Sequence, residues 1–153
     1  MPSRTWLCAA AAILALCAFS CNKDEASLAD LRTKTITLPF GQKIKAEVQV
    51  SDIEIARGMM FRESIAPDRG MLFIHQRPSV YTYWMYQVKI PLDIIWMDAN
   101  RVIVEIKENA PPCATKASEC PSYGGAAPSQ YVLELAGGMA SKYGLKPGQR
   151  LSF

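Results

Sequence analysis

From Thr35 onward, apolar and polar residues alternate along several short segments, and this alternation restricts the chain to a β-rich fold. In residues 43–50 every second residue is apolar, so these side chains share one face of a strand. Residues 102–107 repeat the pattern after a turn at 98–101, which predicts a hairpin with the apolar segment 91–97. The sequence therefore predicts one mainly β domain, a compact β-sandwich or small barrel with one or two short helices.

Two short segments carry helix signals. Ser51 stands three residues before Glu54, the spacing of a capping box, so a helix should begin after Ser51 and end near Met60. Residues 137–143 predict a second short helical or turn segment. Between these segments, residues 80–87 are bulky at odd and even positions alike, which predicts a strand covered on both faces.

The N-terminus has the pattern of a signal peptide, with a basic start at Arg4 and an uncharged apolar run over residues 6–19. This run of 14 residues is shorter than the ~20 that a spanning helix needs, so it predicts export and no transmembrane anchor. Its end, AFSC at residues 18–21, resembles the lipoprotein processing box, which implies cleavage before Cys21 and a lipid on its thiol. Ordinary cleavage nearby, leaving Cys21 free, is the alternative.

These features predict the order of the segments and the location of the protein. Residues 1–21 form the signal, residues 22–33 a polar tether, and residues 34–153 the β-rich domain. We expect export to the periplasm or cell envelope and attachment to a membrane through the lipid. Asn22 replaces the aspartate that often retains lipoproteins in the inner membrane, which slightly favours the outer membrane.

The cysteines support this prediction. Two of the five lie within the signal segment and Cys21 would carry lipid, which leaves Cys113 and Cys120. In an oxidising compartment this pair predicts a disulfide. A two-cysteine metal site is the alternative, but zinc sites need further ligands, and His75, the only histidine, is far away in sequence. We therefore predict neither a metal nor another cofactor.

The charge of the chain argues against nucleic acid as a partner. Loss of Arg4 with the signal segment leaves 16 basic and 14 acidic residues, a net charge of +2. Basic residues do not cluster among aromatic ones, which is the pattern that phosphate and base binding require. We expect no nucleic-acid function.

Three sequence blocks resemble the signature of domain-of-unknown-function family 192: ARGMMFRESIAPDRGMLF, YWMYQVKIPLDIIWMD and YVLELAGGMASKYGLKPGQRL. They occur in the family's order, with the cysteine loop between the second and the third, and the resemblance covers nearly all of residues 35–153. It implies a small β-rich fold and, in many members, an export signal, but no established activity. The family's tryptophan-methionine block typically continues with lysine, asparagine and threonine. Here Tyr86, Gln87 and Val88 follow, which suggests a changed or lost site.

Asp93 is the first candidate for a ligand-binding residue. Strand alternation places it on the same face as Ile95 and Met97, where an unpaired carboxylate is costly. Asp93 could anchor a ligand in an aromatic pocket. It could instead accept backbone N–H groups at a loop or pair with an arginine, such as Arg57, Arg62 or Arg69.

Aromatic and charged residues of the three blocks complete the candidate set. Trp84, Tyr83 and Tyr86 could line a groove for a sugar ring or a peptide, with the two tyrosines nearer to the surface, or they could simply fill the core. Arg62, Asp68 and Glu134 could contact the same ligand, or they could form ion pairs that fix loops.

Our leading hypothesis is a noncatalytic binding or accessory domain for a carbohydrate, a peptide or an envelope protein. We predict no catalytic residue, because His75 is the sole imidazole and the serine segments lack a nucleophile-elbow pattern. One alternative is a hydrolase or lyase that uses Asp93 with a second carboxylate. Another is a periplasmic copper-binding protein, because thioethers bind Cu(I) and several methionines follow the signal segment: Met59, Met60, Met71, Met85, Met97 and Met139.

Overall fold

The structure, a computed structural model, describes residues 32–153. The predicted signal segment, the predicted lipidation site Cys21 and nearly all of the tether lie outside the described residues. The elements follow in this order: β1 (Thr33–Thr37), β2 (Lys43–Gln49), α1 (Asp52–Arg57), β3 (Arg69–Ser79), β4 (Thr82–Trp84), β5 (Leu92–Met97), β6 (Ile103–Ala110), a 3₁₀ turn (Ala117–Glu119), β7 (Ser122–Gly124), β8 (Ser129–Ala136) and α2 (Met139–Lys142).

Six strands form the main sheet, in the order β1-β2-β3-β8-β5-β6, and β4 pairs with β7 in a small second sheet. All neighbours are antiparallel except β2 and β3, whose parallel pairing needs a crossover that α1 supplies. The predicted hairpin is confirmed as β5 and β6. The fold is mainly β, as predicted, but the main sheet stays open and does not close into a barrel.

The main sheet buries both of its faces, and each face carries one buried carboxylate, after which we name it. Alternate residues of β8 and β5 belong to opposite faces, because side chains along a strand point to opposite sides. The Asp93 face packs against α2 and the C-terminal segment through Ile36, Ile44, Leu72, Ile95, Leu133, Leu145 and Leu151. The Glu134 face packs against the small sheet and the segment after α1 through Met59, Met71, Phe73, Tyr83, Met85, Trp96 and Val132.

The two helices are short. The Ser51 capping box is present, with Glu54 N–H donating to Ser51 Oγ and the Glu54 carboxylate accepting from Ser51 N–H. Helix α1 ends at Arg57, earlier than predicted, because Gly58 adopts a φ of +43° and turns the chain. No helix within residues 32–153 has both the length and the apolar character needed to cross a bilayer.

The small sheet corrects the prediction for residues 80–87. We expected a strand covered on both faces, but β4 has three residues and packs only one face on the main sheet. Tyr83 is therefore buried, whereas Trp84 is 41% exposed, so the prediction of a surface position for Tyr83 was wrong. Strand β7 passes so close to Trp96 that a Cβ at Gly124, whose φ is +86°, would lie 2.4 Å from the indole.

The predicted disulfide between Cys113 and Cys120 is present. Its loop is tied to the segment after β4, since Cys113 N–H donates to Met85 O and Gln87 N–H donates to Cys113 O. Much of the predicted loop is therefore ordered as a cover for the Glu134 face.

Candidate functional site

Two carboxylates are buried in the main sheet, and they lie on opposite faces. Asp93 on β5 is fully buried and stands opposite Leu135 on β8, while Glu134, one residue earlier, is 4% exposed. Because consecutive strand residues point to opposite sides, the sheet itself separates the two groups. The structure thus does not bring them together as an acid-base pair.

Asp93 is saturated with hydrogen bonds from the backbone. Its Oδ1 accepts the N–H groups of Asn109 and Gly138, at 2.8 and 3.0 Å, and its Oδ2 accepts the N–H of Ala140 at 2.6 Å. Gly138 and Ala140 begin α2, so Asp93 caps this helix from a neighbouring strand. Of the roles that the sequence allowed, the structure displays the acceptance of backbone N–H groups.

Glu134 lacks such partners. Its strand neighbours on either side are Met71 and Ile94, and Oε2 is buried without a hydrogen-bond partner among residues 32–153. Burial raises the pKa of Glu134 to about 8, and the nearby positive charge of Arg62 opposes only part of this rise. Glu134 is therefore mostly protonated at neutral pH, and its unpartnered oxygen is an exception to the rule that buried polar atoms are hydrogen-bonded.

Arg62 lies between two carboxyl groups. Its guanidinium forms a two-pronged ion pair with Glu47 on β2, with N···O distances of 2.6 and 2.5 Å, and this bond raises the pKa of Arg62. Glu47 is opposite Met71, and Met71 is opposite Glu134, so both carboxyl groups belong to one lateral row on the same face. Arg62 bonds to Glu47 at one position of this row and acts electrostatically on Glu134 at the other.

A pocket of about 480 Å³ opens beside this row, between α1, the loop that follows α1, and strands β2 and β3. Its lining combines charged, amide, thioether and aromatic groups: Gln49, Glu54, Arg57, Gly58, Met60, Phe61, Arg62 and Met71. Two of these residues, Arg62 and Met71, are also neighbours of Glu134. Glu134 thus neighbours two residues of the lining without being part of the lining itself.

Of the three charged side chains that line the pocket, two have an ion-pair partner within residues 32–153 and one does not. Glu54 bonds to Ser51 and to Arg32, and these bonds lower the pKa of Glu54 to about 2. Arg62 is paired with Glu47. Arg57 is exposed and its guanidinium forms no ion pair or hydrogen bond within residues 32–153. Counted over the described part of the chain, the pocket therefore carries one positive charge without an ion-pair partner.

The rim of the pocket has a strained backbone. Phe61 is 54% exposed and has a φ of +66°, an unfavourable conformation for an aromatic residue. Its N–H donates to Gln87 O, and Gln87, with a φ of +59°, in turn donates to Cys113 O. The disulfide loop thus fixes the rim through two consecutive backbone hydrogen bonds.

An aromatic cluster continues the Glu134 face away from the pocket. Tyr83 shares a 3.0 Å hydrogen bond between its hydroxyl and His75 Nε2 and packs edge-on against Trp96. His75 stacks on Tyr81 with 3.5 Å between ring centroids. Burial and the charge of Glu134 raise the pKa of Tyr83, and burial lowers the pKa of His75. This cluster is closed and polar at its centre.

The structure brings together only some of the residues that the sequence suggested as ligand contacts. Arg62, Tyr83 and Glu134 belong to the Glu134 face. Trp84 and Tyr86 pack on each other at 5.3 Å on the outside of the small sheet, and Asp68 is exposed in the turn before β3. With Asp93 on the opposite face, the single aromatic groove that was expected does not form.

Sequence reasoning missed most of the pocket. Gln49, Arg57, Met60, Phe61 and Met71 were not proposed as a common site, although four of them lie in the first block that resembles the family. The sequence feature that could have indicated the pocket is the high proportion of charged and apolar residues in that block. Only the parallel pairing of β2 and β3 places the fifth residue, Gln49, opposite Phe73 and beside the block.

The methionines are divided between the two faces. Met59, Met71 and Met85 are buried on the Glu134 face, and Met97 is buried on the Asp93 face. Among residues 32–153, no three or more His, Cys, Asp and Glu side chains are grouped so that they could hold a metal. Met60 and Met71 do share the pocket, but its uncompensated positive charge disfavours a cation.

Comparison with known proteins gives relatives of unknown function. A solved protein of unknown function from Novosphingobium aromaticivorans is similar, with a TM-score of 0.71 and 31% identity over 79% of this chain and 85% of that chain. A Sinorhizobium meliloti protein, provisionally described as a transcription regulator, has a TM-score of 0.69 and 30% identity over 77% and 89%. No curated protein matches. Residues 35–153 match the model of the family DUF192, described as Uncharacterized ACR, and the chain belongs to this family.

Proposed function

We propose that this protein is a noncatalytic binding domain of the cell envelope and that the pocket beside α1 holds its ligand. The observation that carries the proposal is the buried carboxyl of Glu134, whose Oε2 has no partner among residues 32–153 and which neighbours Arg62 and Met71 of the pocket lining. A buried, unsatisfied polar group costs about 1–3 kcal/mol, so a protein that keeps one gains from it elsewhere. A ligand is the simplest source of the gain.

Three further features support a pocket that binds. Its volume of about 480 Å³ lies in the range of small-molecule sites. Its rim is strained at Phe61 and held by the disulfide loop, and strain of this kind concentrates at ligand sites. The lining also offers apolar surface together with a few polar groups, which is the usual composition of such sites.

The arrangement favours binding over catalysis. Asp93 is engaged with three backbone N–H groups on the other face, so it has no free lone pair directed at the pocket. The hydrogen bond of His75 goes to Tyr83 within the closed aromatic cluster. The residues that line the pocket can position a ligand, but they do not include a nucleophile paired with a base.

The envelope location and the ligand class are part of the proposal. The N-terminal pattern supports export, with the lipid on Cys21 holding the domain at a membrane, more favourably the outer one. A pocket of this size accepts a sugar unit, a short peptide or a chain terminus of an envelope protein. The polar tether would allow the domain to reach such a ligand from the membrane.

A binding screen with a matched pair of variants tests the proposal. The full chain is screened by thermal shift against glycans, peptides and envelope extracts, and each hit is titrated calorimetrically. Phe61→Ala should weaken binding about tenfold, whereas Phe40→Ala, which removes a similarly exposed phenyl group outside the pocket, should leave it unchanged. The absence of any saturable ligand, or equal losses in both variants, would contradict the proposal.

A further inference from the structure

We infer that the ligand of this pocket is a small organic anion, whose oxyanion group binds Arg57 and whose apolar part contacts Phe61 and the methionines. This inference rests on the proposed function and specifies its ligand class. Recognition of an oxyanion follows from the one guanidinium in the pocket that no carboxylate neutralises within residues 32–153. Guanidinium groups bind carboxylate and phosphate oxygens with two parallel hydrogen bonds.

The charges around the pocket favour an anion over a cation. Glu54 and Arg62 each have an ion-pair partner, Arg32 and Glu47 respectively, so their charges largely cancel. Arg57 has no ion-pair partner among residues 32–153. Asp52, at the first turn of α1, is the other acid of this helix, but it is not in the pocket lining and its charge acts at His75.

Glu134 makes the inner wall compatible with an anion as long as it is protonated. A neutral carboxyl adds no negative charge behind Arg62, and its O–H can donate a hydrogen bond. Ionisation would place a carboxylate beside Arg62 and lower the positive potential of the pocket. The groups that face Glu134 or share its row, element by element, are Arg62 of the loop after α1, Glu47 of β2, Met71 of β3, Tyr83 of β4, Ile94 of β5 and Lys107 of β6.

The remaining lining defines the body of the ligand. Met60, Phe61 and Met71 contribute thioether and phenyl surface, and Gln49 adds one amide. Methionine and an exposed aromatic ring adapt to an apolar group of varied shape. A monoanion with a compact hydrocarbon or aromatic body matches both parts of the pocket.

Three matched probes test the charge preference in the full chain. 3-Phenylpropanoate, 3-phenylpropanamide and 3-phenylpropylammonium share one body and differ in the head group. With ¹³C-methyl methionine, binding should shift the Met60 and Met71 signals and leave Met97, on the opposite face, in place. We expect the propanoate to bind at least about tenfold more tightly than the amide and the ammonium not to bind.

Two variants separate the charge from the fold. Arg57→Gln should weaken propanoate binding about tenfold. Arg77→Gln, which removes the same charge from an exposed position outside the pocket lining, should leave it unchanged. Glu134→Gln should keep propanoate binding constant as the pH is raised through 8, where the unmodified protein should lose affinity about fivefold or more.

The outcomes distinguish this inference from the proposed function. Shifts at Met60 and Met71 with the amide or the ammonium at equal or higher affinity would overturn the anionic class while leaving a functional pocket. Equal effects of Arg57→Gln and Arg77→Gln would overturn the role of Arg57. The absence of shifts with all three probes would also overturn the inference, whereas the screen with Phe61→Ala decides independently whether the pocket binds at all.

Discussion

The two faces of the main sheet each bury one carboxyl group, yet the two groups are treated in opposite ways. Asp93 accepts three backbone N–H groups and thereby joins β5, β6 and the start of α2. Glu134 has an oxygen without a partner among residues 32–153, and its protonated form is favoured by burial. The burial of a carboxyl group is therefore not enough to identify a ligand site. The satisfied carboxylate is explained by the fold, whereas the unsatisfied one next to a pocket needs a second explanation.

The largest expected effect is the change of the free energy of unfolding with pH that Glu134, on one face of the sheet, should cause. Glu134 has a pKa near 8 in the folded protein against 4.5 when unfolded, so the folded state holds its proton more tightly. Its contribution is complete below pH 4.5 and is lost as the pH rises through about 8, by up to ~5 kcal/mol in total. Burial lowers the pKa of His75, so its contribution to stability changes with pH in the opposite direction.

The difference in the free energy of unfolding between the unmodified protein and Glu134→Gln, measured at each pH, isolates the contribution of Glu134. Urea unfolding across the window should show stability falling with pH in the protein relative to the variant. Parallel curves for the two proteins would mean that Glu134 is not held in its protonated form.

Asp93→Ala should have the next largest effect. It leaves the N–H groups of Asn109, Gly138 and Ala140 without their acceptor, which should cost about 3 kcal/mol or more. Asp98→Ala is the matched control, because Asp98 likewise accepts backbone N–H groups, two of them, but lies at a solvated turn. Water can replace its carboxylate there, so this variant should lose only about 1 kcal/mol. Equal losses in the two variants would show that the Asp93 face does not depend on this cap.

Removal of the disulfide should loosen one face only. The double variant Cys113→Ser, Cys120→Ser should lose about 2.5 kcal/mol in the chain-entropy model. Amide hydrogen exchange should accelerate at Phe61 and Gln87, which the disulfide loop supports, and stay slow at Ala140 in α2. Faster exchange at all three positions by the same factor would indicate that the two faces unfold as one unit.

The smallest effect is expected at the N-terminus of α1. Ser51→Ala removes one half of the capping box and should cost about 1 kcal/mol. The loss should be clearly smaller than that of Asp93→Ala, since the Ser51 cap is exposed and water can reach the freed N–H groups. A loss as large as that of Asp93→Ala would mean that α1 supports its face as strongly as α2 supports the other.

Local sequence signals predicted the parts of the fold that depend on local chemistry. The capping box at Ser51 and the hairpin of β5 and β6 follow from short-range patterns, and the pairing of Cys113 with Cys120 follows from the cysteines that remain after the signal segment and Cys21. The burial of Tyr83 and exposure of Trp84 were not predicted, because alternation gives two faces but not which one is covered. That choice depends on where the small sheet docks.

The candidate site was predictable only in fragments. Arg62 and Glu134 were named from the sequence, but as possible ion-pair or ligand residues without a common location. Their proximity depends on the register of β3 with β8 and on the parallel pairing of β2 with β3. No local pattern encodes either register, and the pocket exists only after both are formed.

The most direct test of the protonated state of Glu134 and of its connection to the pocket is a ¹³C titration of the Glu134 carboxyl in the full chain, with and without 3-phenylpropanoate. For the free protein we expect a midpoint near pH 8. With the probe bound we expect a higher midpoint, because a ligand that prefers protonated Glu134 must raise its pKa by the same coupling. A midpoint near 4.5 that the probe leaves unchanged would contradict both the buried, protonated state of Glu134 and its connection to the pocket.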